Sequence, residues 1–159
     1  MKFLSAPWRW EFICKLAGKT GCVFCDAQKK EGKDSLIFHR GDKFFGILNK
    51  YPYSTGHLLI VPYSHLETPD QVSPEDSIEM WEMMNRSLKI LKENFKPDGF
   101  NMGMNIGRCG GAGVAGHFHL HIVPRWAGDA NFMAVTGDTK VLSYEMGFVY
   151  DLLEREFKK

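Results

Sequence analysis

Residues 117–126 read His117-Phe118-His119-Leu120-His121-Ile122-Val123-Pro124-Arg125-Trp126, and this stretch decides the fold. Three histidines alternate with large apolar residues, which is the period-two pattern of a β-strand. The three imidazoles are therefore expected on one face of a strand, with neighbours roughly 6.5–7 Å apart along it. Three of the chain's six histidines lie in these five residues, so groups that titrate near neutral pH are concentrated there.

The strict alternation argues against an incidental pattern of histidines on an ordinary strand. The residues alone are compatible with two chemical functions of this histidine face. A His-X-His metal site usually needs a carboxylate among its ligands, and the nearest acid, Asp129, lies beyond Pro124. Alternatively, a neutral imidazole can attack phosphorus when its other ring nitrogen donates to a fixed carbonyl. A neighbouring imidazole can then hold a phosphoryl oxygen or protonate the leaving group.

The loop before the histidines favours the second use. Residues 107–116 contain five glycines, and glycine lets backbone N–H groups approach an anion closely. A flexible connection is the alternative explanation for such a loop. Its position directly before the histidines places a candidate phosphate cradle beside a candidate nucleophile.

Composition limits the possible classes of protein. A chain of 159 residues fits one domain, and 20 basic against 19 acidic residues indicate no nucleic-acid groove. No stretch approaches the ~20 apolar residues of a membrane helix, and Pro7 and Arg9 interrupt any signal peptide. We therefore expect a cytoplasmic protein. Four cysteines without a secretory signal favour reduced thiols or a metal.

The order of predicted elements indicates an α+β fold. Strands are predicted at 44–48, 56–61, 100–106 and in the histidine stretch, with a hairpin turn between Phe38 and Phe44. A long helix is predicted from the Ser73 cap to about Phe95, and a short one at roughly 142–157. Strands this short favour an antiparallel sheet with helices on one face.

Apolar spacing predicts which side of each helix faces the core. On the long helix the predicted inward positions are Ile78, Trp81, Met84, Leu88, Leu91 and Phe95. On the last helix they are Tyr144, Phe148, Leu152 and Phe157.

The cysteines of Cys22-Val23-Phe24-Cys25 have the spacing that lets two thiolates reach one zinc ion. No second Cys-X-X-Cys pair is present in the sequence, so histidines would have to complete four ligands. Two buried thiols or a redox pair are the alternatives, although no thioredoxin-like strand and helix follow the motif.

The histidine stretch resembles the signature of the histidine triad (HIT) superfamily, His-φ-His-φ-His-φ-φ with φ apolar. Phe24-Cys25, Ile47-Leu48-Asn49, Gly56–Pro62 and Asn105-Ile106-Gly107 are spaced as in that family. The resemblance covers nearly the whole chain and implies a single HIT domain over residues 1–159. It implies an antiparallel sheet of about five strands, with one long and one short helix, and a homodimer across which the sheet extends. The zinc motif then belongs to an N-terminal segment at 1–35, and the last helix to 142–159.

Within the superfamily, Ala6-Pro7-Trp8-Arg9 and residues 124–133 resemble bacterial diadenosine tetraphosphate phosphorylases, also called ATP adenylyltransferases. This resemblance implies cleavage of a dinucleoside polyphosphate by inorganic phosphate rather than water. Many HIT hydrolases carry Gln four residues before the first histidine, where this chain has Gly113. Hydrolysis of dinucleoside polyphosphates or of adenosine phosphoramidates, as in Hint proteins, is the alternative activity. A zinc-stabilised nucleotide-binding module is the non-enzyme alternative.

The family's roles carry over to matching positions of this sequence. His119 is expected to be the nucleophile, His121 to bind the α-phosphate and assist the leaving group, and His117 to orient the site or bind metal. The implied zinc ligands are Cys22, Cys25, His65 and His117.

The resemblance also implies a set of substrate contacts. Asn49 is expected to contact ribose, and Phe45 and Ile47 to wall the base, with plain core packing as the alternative. Arg125 is assigned either to phosphate charge or to a surface or dimer contact, and Trp126 to substrate or dimer. The residues expected around the phosphates are Asn105, Gly107, Gly111 and Gly113.

Overall fold

The computed structural model describes residues 21–114, 116–129 and 142–159. Ala6–Arg9 and residues 130–133, which carry part of the family resemblance, lie outside the described residues, as does most of the segment at 1–35. Among the described residues, no helix is both long and apolar enough to cross a membrane.

The described residues form one antiparallel sheet of five strands, in the order β1-β2-β3-β5-β4. Neighbouring strands of the β1–β2–β3 meander follow each other along the chain, whereas β5 inserts between β3 and β4. This confirms the α+β prediction and its sheet of about five strands. The strands are β1 (Ile37–Arg40), β2 (Phe44–Leu48), β3 (Leu58–Pro62), β4 (Gly99–Gly103) and β5 (Leu120–Arg125).

Three α-helices accompany the sheet in the described residues: α1 (Val23–Gln28), α2 (Pro74–Phe95) and α3 (Met146–Phe157). The start of α2 is as predicted, because the Ser73 hydroxyl accepts a hydrogen bond from the Asp76 N–H at 3.0 Å. The helix ends at Phe95 and is followed by Lys96, whose φ of 46° is left-handed. The last helix begins at Met146 rather than at 142.

The two faces of the sheet have different cores. On one face, α2 and α3 pack against side chains such as Phe44, Leu58 and Ile122 in the larger hydrophobic cluster. On the other face a smaller cluster joins α1 to the sheet through Phe24, Ile37, Phe45, Ile47, Leu59 and Val61. The helical face is therefore closed by packing, and the opposite face carries the histidines.

For both helices, the prediction of which residues face the core is wrong at the N-terminal end. Ile78 and Trp81 are 58% and 55% exposed, and Tyr144 and Phe148 are 46% and 52% exposed. On α2 a second apolar stripe at the same spacing takes the inward place, and periodicity alone cannot separate two such stripes. The buried residues of α2 are Met80, Met83, Met84, Ser87, Ile90, Leu91 and Phe95.

The histidine strand also begins later than its pattern predicts. Strand β5 starts at Leu120, so His117 and His119 precede it. The pairing of β3 with β5 ends at Ile60 opposite Leu120, and β3 itself ends at Pro62, which has no N–H for a ladder bond. Beyond that point the Phe118 N–H donates instead to the Leu66 carbonyl at 2.8 Å.

Candidate active site

His121 lies on the face of the sheet opposite the two long helices. Its backbone pairs with Leu59 of β3 and with Gly103 of β4, and Leu59 pairs in turn with Ile47 of β2. Directly paired residues project to the same side of a sheet, so His121 shares the face of the smaller cluster. The His119 ring lies 4.7 Å from the His121 ring, which keeps the two imidazoles adjacent as predicted.

The protonation pattern of the His117 ring follows from its acceptor. His117 is fully buried, and its Nε2 lies 2.9 Å from the Pro62 carbonyl oxygen. A carbonyl only accepts, so Nε2 carries the proton and Nδ1 has a free lone pair. That lone pair faces Cys22 Sγ at 3.2 Å and Cys25 Sγ at 3.6 Å. Burial lowers the pKa of His117.

His119 has the opposite tautomer. Its Nδ1 lies 3.0 Å from the His117 carbonyl oxygen, so the proton is on Nδ1 and the lone pair is on Nε2. Burial lowers the pKa of His119 despite this hydrogen bond, which acts in the opposite direction. Phe24 of α1 packs against the ring, with centroids 4.8 Å apart. The result is a neutral imidazole with a fixed orientation and one nitrogen able to attack.

A fourth histidine, His57, orients His121. The Tyr53 N–H donates to His57 Nδ1 at 3.0 Å, so the neutral ring carries its proton on Nε2 and donates to His121 Nδ1 at 3.0 Å. The remaining proton of His121 is therefore on Nε2. Burial, and secondly the charge of His119, lower the pKa of His121 to about 4. Sequence reasoning missed the role of His57, although a histidine at the start of an apolar strand is the signal that could have found it.

Four side chains at the end of β3 form a group that could hold a metal ion. One ligand atom from each of Cys22, Cys25, His65 and His117 lies within 4.8 Å of all the others. His65 Nδ1 is 3.3 Å from Cys25 Sγ, and the His65 and His117 rings meet edge-on at 5.0 Å. The four residues predicted as ligands are therefore brought together, from α1, the segment after β3 and the histidine stretch.

The predicted base and ribose contacts have mixed surroundings. Phe45 has no exposed surface and Ile47 is 7% exposed, both within the smaller cluster, which favours the core alternative. Asn49 Oδ1 accepts from the Tyr51 N–H at 2.9 Å, and its Nδ2 lies 3.3 Å from both ring nitrogens of His57. Asn49 thus shapes the loop beside His57, and its ribose contact stays a prediction.

The glycine loop is folded into tight turns. Gly107 and Gly111 have φ values of 67° and 84°, which suit glycine. The Gly111 N–H donates to the Arg108 carbonyl at 3.0 Å and the Ala112 N–H to the Gly107 carbonyl at 3.2 Å. Those two donors are engaged within the loop, so an anion would be met by the loop's other groups. Asn105 is half-buried and Gly113 is exposed at its two ends.

Arg125 and Trp126 both make structural contacts. The Arg125 guanidinium donates to Asp129 Oδ1 at 2.9 Å and to Asn101 Oδ1 at 2.7 Å, and Asp129 raises its pKa. Trp126 Nε1–H donates to the Phe95 carbonyl at 3.2 Å. These partners favour the surface role for Arg125 over contact with phosphate.

Comparison with known proteins agrees with this fold. Residues 29–128 match the model of the HIT domain, and the chain belongs to the histidine triad (HIT) family. It is 33% identical over 136 residues to a Mycobacterium tuberculosis protein named AP-4-A phosphorylase, covering 86% of this chain and 70% of that protein.

Solved structures show the same architecture. A hypothetical histidine triad nucleotide-binding protein from Sulfolobus tokodaii matches with a TM-score of 0.67 and 27% identity, over 86% of this chain and 92% of that chain. A zinc-bound histidine triad family protein from Mycobacterium smegmatis matches with a TM-score of 0.61 over 93% of this chain and 92% of that chain. At 23% identity the second comparison supports the fold alone.

The environment of His121 predicts its titration. We expect ¹⁵N NMR to show a neutral His121 ring at pH 5.5, protonated on Nε2, with a pKa of about 4. Above its unfolded pKa near 6.5 the group does not affect stability. Between about pH 6.5 and about pH 4, His121 binds a proton in the unfolded chain but not in the folded chain. The free energy of unfolding therefore decreases as the pH falls through that range.

His121→Ala assigns the resonance in this experiment. A His121 ring that titrates near 6.5 would show that the ring is not buried in solution as it is in this structure. A neutral ring protonated on Nδ1 would show that the His57 hydrogen bond is not made.

Proposed function

We propose that this protein cleaves dinucleoside polyphosphates by nucleotidyl transfer, with His119 as the nucleophile. The observation that carries the proposal is the His119 tautomer, because the Nδ1–H bond to the His117 carbonyl leaves the Nε2 lone pair available. The similarity to the mycobacterial AP-4-A phosphorylase supports diadenosine tetraphosphate as the substrate.

In the first step, Nε2 of His119 attacks the α-phosphorus, and the bond from that phosphorus to the bridging oxygen breaks. A nucleotidyl group is then held on Nε2, and the nucleoside polyphosphate leaves with the bridging oxygen. His121 Nε2–H is the neighbouring donor that would hold a phosphoryl oxygen or give its proton to the leaving oxygen. His57 keeps this proton on Nε2 by donating to the other nitrogen of the ring.

In the second step, inorganic phosphate attacks the same phosphorus and His119 leaves. With diadenosine tetraphosphate, the products are ATP from the first step and ADP from the second. Gly113 favours phosphate over water as the acceptor, since no amide side chain is available there to orient a water molecule. The same chemistry with water would give AMP in place of ADP.

Product analysis with and without inorganic phosphate tests this proposal. We expect ADP and ATP from diadenosine tetraphosphate, with a rate that rises and saturates with phosphate. His119→Ala should lower kcat by at least about 10³-fold, because the nucleophile and its activated geometry are lost together.

Circular dichroism and the thermal transition of His119→Ala serve as the control for folding. AMP as the product at a rate independent of phosphate would replace phosphorolysis by hydrolysis. Full turnover by His119→Ala would remove the nucleophile assignment.

We further propose that the ion held by Cys22, Cys25, His65 and His117 is zinc. Zinc–ligand bonds of about 2.0–2.3 Å place tetrahedral sulfur and nitrogen ligands about 3.3–3.8 Å apart. Three sulfur–nitrogen pairs of this group are 3.2–3.6 Å apart, and all four ligand atoms lie within 4.8 Å of one another. Burial and the neighbouring Cys22 raise the pKa of Cys25, and a divalent ion would stabilise its thiolate. Such an ion supplies a structural cross-link between α1, the segment after β3 and His117.

Metal analysis tests the zinc assignment. We expect one zinc per chain for the wild type and a small fraction of that for Cys25→Ser. Removal of zinc by a chelator should lower Tm by about 10 °C, which corresponds to a ligand present at ~1,000 times its Kd. Cys109→Ser is the matched control, since the exposed Cys109 is not among the four clustered ligands. Equal zinc content in Cys25→Ser and the wild type would contradict the assignment.

We also propose that a second copy of the chain pairs with the edge of the sheet at β4. Among the described residues, β4 is an end strand of the sheet, and Asn101, Met102 and Gly103 are exposed along it. An uncovered edge presents unpaired backbone donors and acceptors, whereas β1 at the other end packs against α3.

A cytoplasmic location stays a prediction from the sequence.

Light scattering tests the dimer. We expect twice the chain mass of 18.2 kDa for the wild type and a shift toward the single-chain mass for Met102→Asp, which brings two like charges together at the paired edges. Phe148→Asp, at an equally exposed position on α3, should remain dimeric. A monomeric wild type, or an unchanged mass for Met102→Asp, would count against pairing at β4.

A further inference from the structure

Tyr53 is an exposed aromatic residue that lies directly against the histidines of the site. Its ring is 4.8 Å from the His57 ring, and it is nearly parallel to the His121 ring, at 19° and 6.3 Å between centroids. Tyr53 is nevertheless 52% exposed. One part of the side chain therefore packs on the site, and another part is presented to solvent beside it.

The loop that carries Tyr53 is held by hydrogen bonds from several directions. The Tyr53 N–H donates to His57 Nδ1 at 3.0 Å, and the His57 N–H donates to the Ser54 carbonyl at 3.1 Å. Asn49 Oδ1 accepts from the Tyr51 N–H at the other end of the loop. Ser54, Thr55 and Gly56 are buried. The Tyr53 backbone is thus fixed before any ligand arrives, so little ordering is needed on binding.

The aromatic rings form an ordered row across the site. Phe24 packs on His119 at 4.8 Å, His119 is next to His121, and Tyr53 lies against His121 and His57. The nucleophile is thus closer to the Phe24 end of the row, and the candidate leaving-group donor is closer to the Tyr53 end. Because the leaving group departs in line, opposite the attacking nitrogen, it would depart toward Tyr53.

The charge of the loop suits an anionic ligand that carries a base. Residues 49–57 contain no Asp or Glu and contain Lys50, which is exposed. A purine ring stacks on a tyrosine face without requiring a specific hydrogen bond. A polyphosphate attached to that purine would meet no carboxylate from this loop.

From these observations we infer that Tyr53 is the stacking surface for the nucleobase of the leaving nucleotide. The inference rests on the proposed cleavage of dinucleoside polyphosphates and adds a second nucleoside subsite at the Tyr53 end of the ring row. Tyr53 is a specificity-determining residue in this assignment, because it distinguishes leaving groups that have a base from those that lack one.

The test compares diadenosine tetraphosphate with adenosine 5′-tetraphosphate, which has the same polyphosphate but no second nucleoside. Tyr53→Leu should raise KM for the dinucleotide about 10-fold, the usual effect of losing one stacked base. Its KM for adenosine tetraphosphate should remain within about 2-fold of the wild type, and kcat should hold for both. Tyr53→Phe keeps the ring and should restore the wild-type KM.

Trp81→Leu is the matched control, because Trp81 is equally exposed (55%) but lies on α2, on the opposite face of the sheet. Equal losses on both substrates in Tyr53→Leu would mean that the ring only supports His57 and His121, and would overturn the inference while leaving the proposed function intact. No loss on either substrate would overturn it too.

Equilibrium binding separates this inference from the proposed function. In the His119→Ala background both ligands stay intact, and calorimetry should show tighter binding of the dinucleotide, with the excess lost in Tyr53→Leu. If the wild type cleaves neither compound but this binding difference is present, the function fails and the subsite stands. Equal affinities for the two ligands would exclude a base on Tyr53.

Discussion

The arrangement of the site depends on where the imidazole protons are held. The Pro62 carbonyl fixes the proton of His117 on Nε2, and the His117 carbonyl fixes that of His119 on Nδ1. Both acceptors are backbone oxygens, which cannot donate, so neither tautomer can invert without losing a buried hydrogen bond. His117 alone connects Pro62 to His119 through these hydrogen bonds. A displacement of the Pro62 carbonyl would therefore also displace the His117 carbonyl that orients His119.

The end of β3 explains why His117 faces the candidate metal ligands Cys22 and Cys25 while His119 and His121 do not. The β3–β5 ladder stops before His119, and Pro62 contributes an acceptor but no donor. The chain at His117 is thus released from the ladder, and its ring turns to the Pro62 carbonyl and the two thiols. The main-chain oxygen of His117 also accepts the hydrogen bond from His119 Nδ1. One departure from regular strand geometry therefore links the candidate metal site to the candidate nucleophile.

Spacing predicts the fold and the Cys22–Cys25 pair, whereas His65 and His117 were expected only from the family resemblance. Ser73 begins α2 as expected, and Cys22 and Cys25 meet His65 and His117. The exposure of Trp81 could not be predicted, since two apolar stripes with one period compete for the core and only the sheet decides between them. The role of His57 was missed because its contact with His121 spans 64 residues of sequence and depends on the register of β3 with β5. The engaged N–H groups of Gly111 and Ala112 depend on turn geometry, which composition does not determine.

The proposed substrate is a polyanion, and Arg125, the candidate counter-charge from the sequence, already has partners among the described residues. Arg125 is paired with Asp129 and Asn101, and the lowered pKa values of His119 and His121 keep both rings neutral near pH 7. Charge that develops on phosphorus oxygens would then be met by an oriented dipole, the His121 Nε2–H. Dipoles that are already in place lose no energy in reorganising as charge moves from the nucleophile to the leaving group. Only the neutral form of His119 has a lone pair to donate, so the burial that lowers its pKa favours the form that can act as a nucleophile. The same burial disfavours an imidazolium, and with it strong ground-state binding of the substrate through an ion pair.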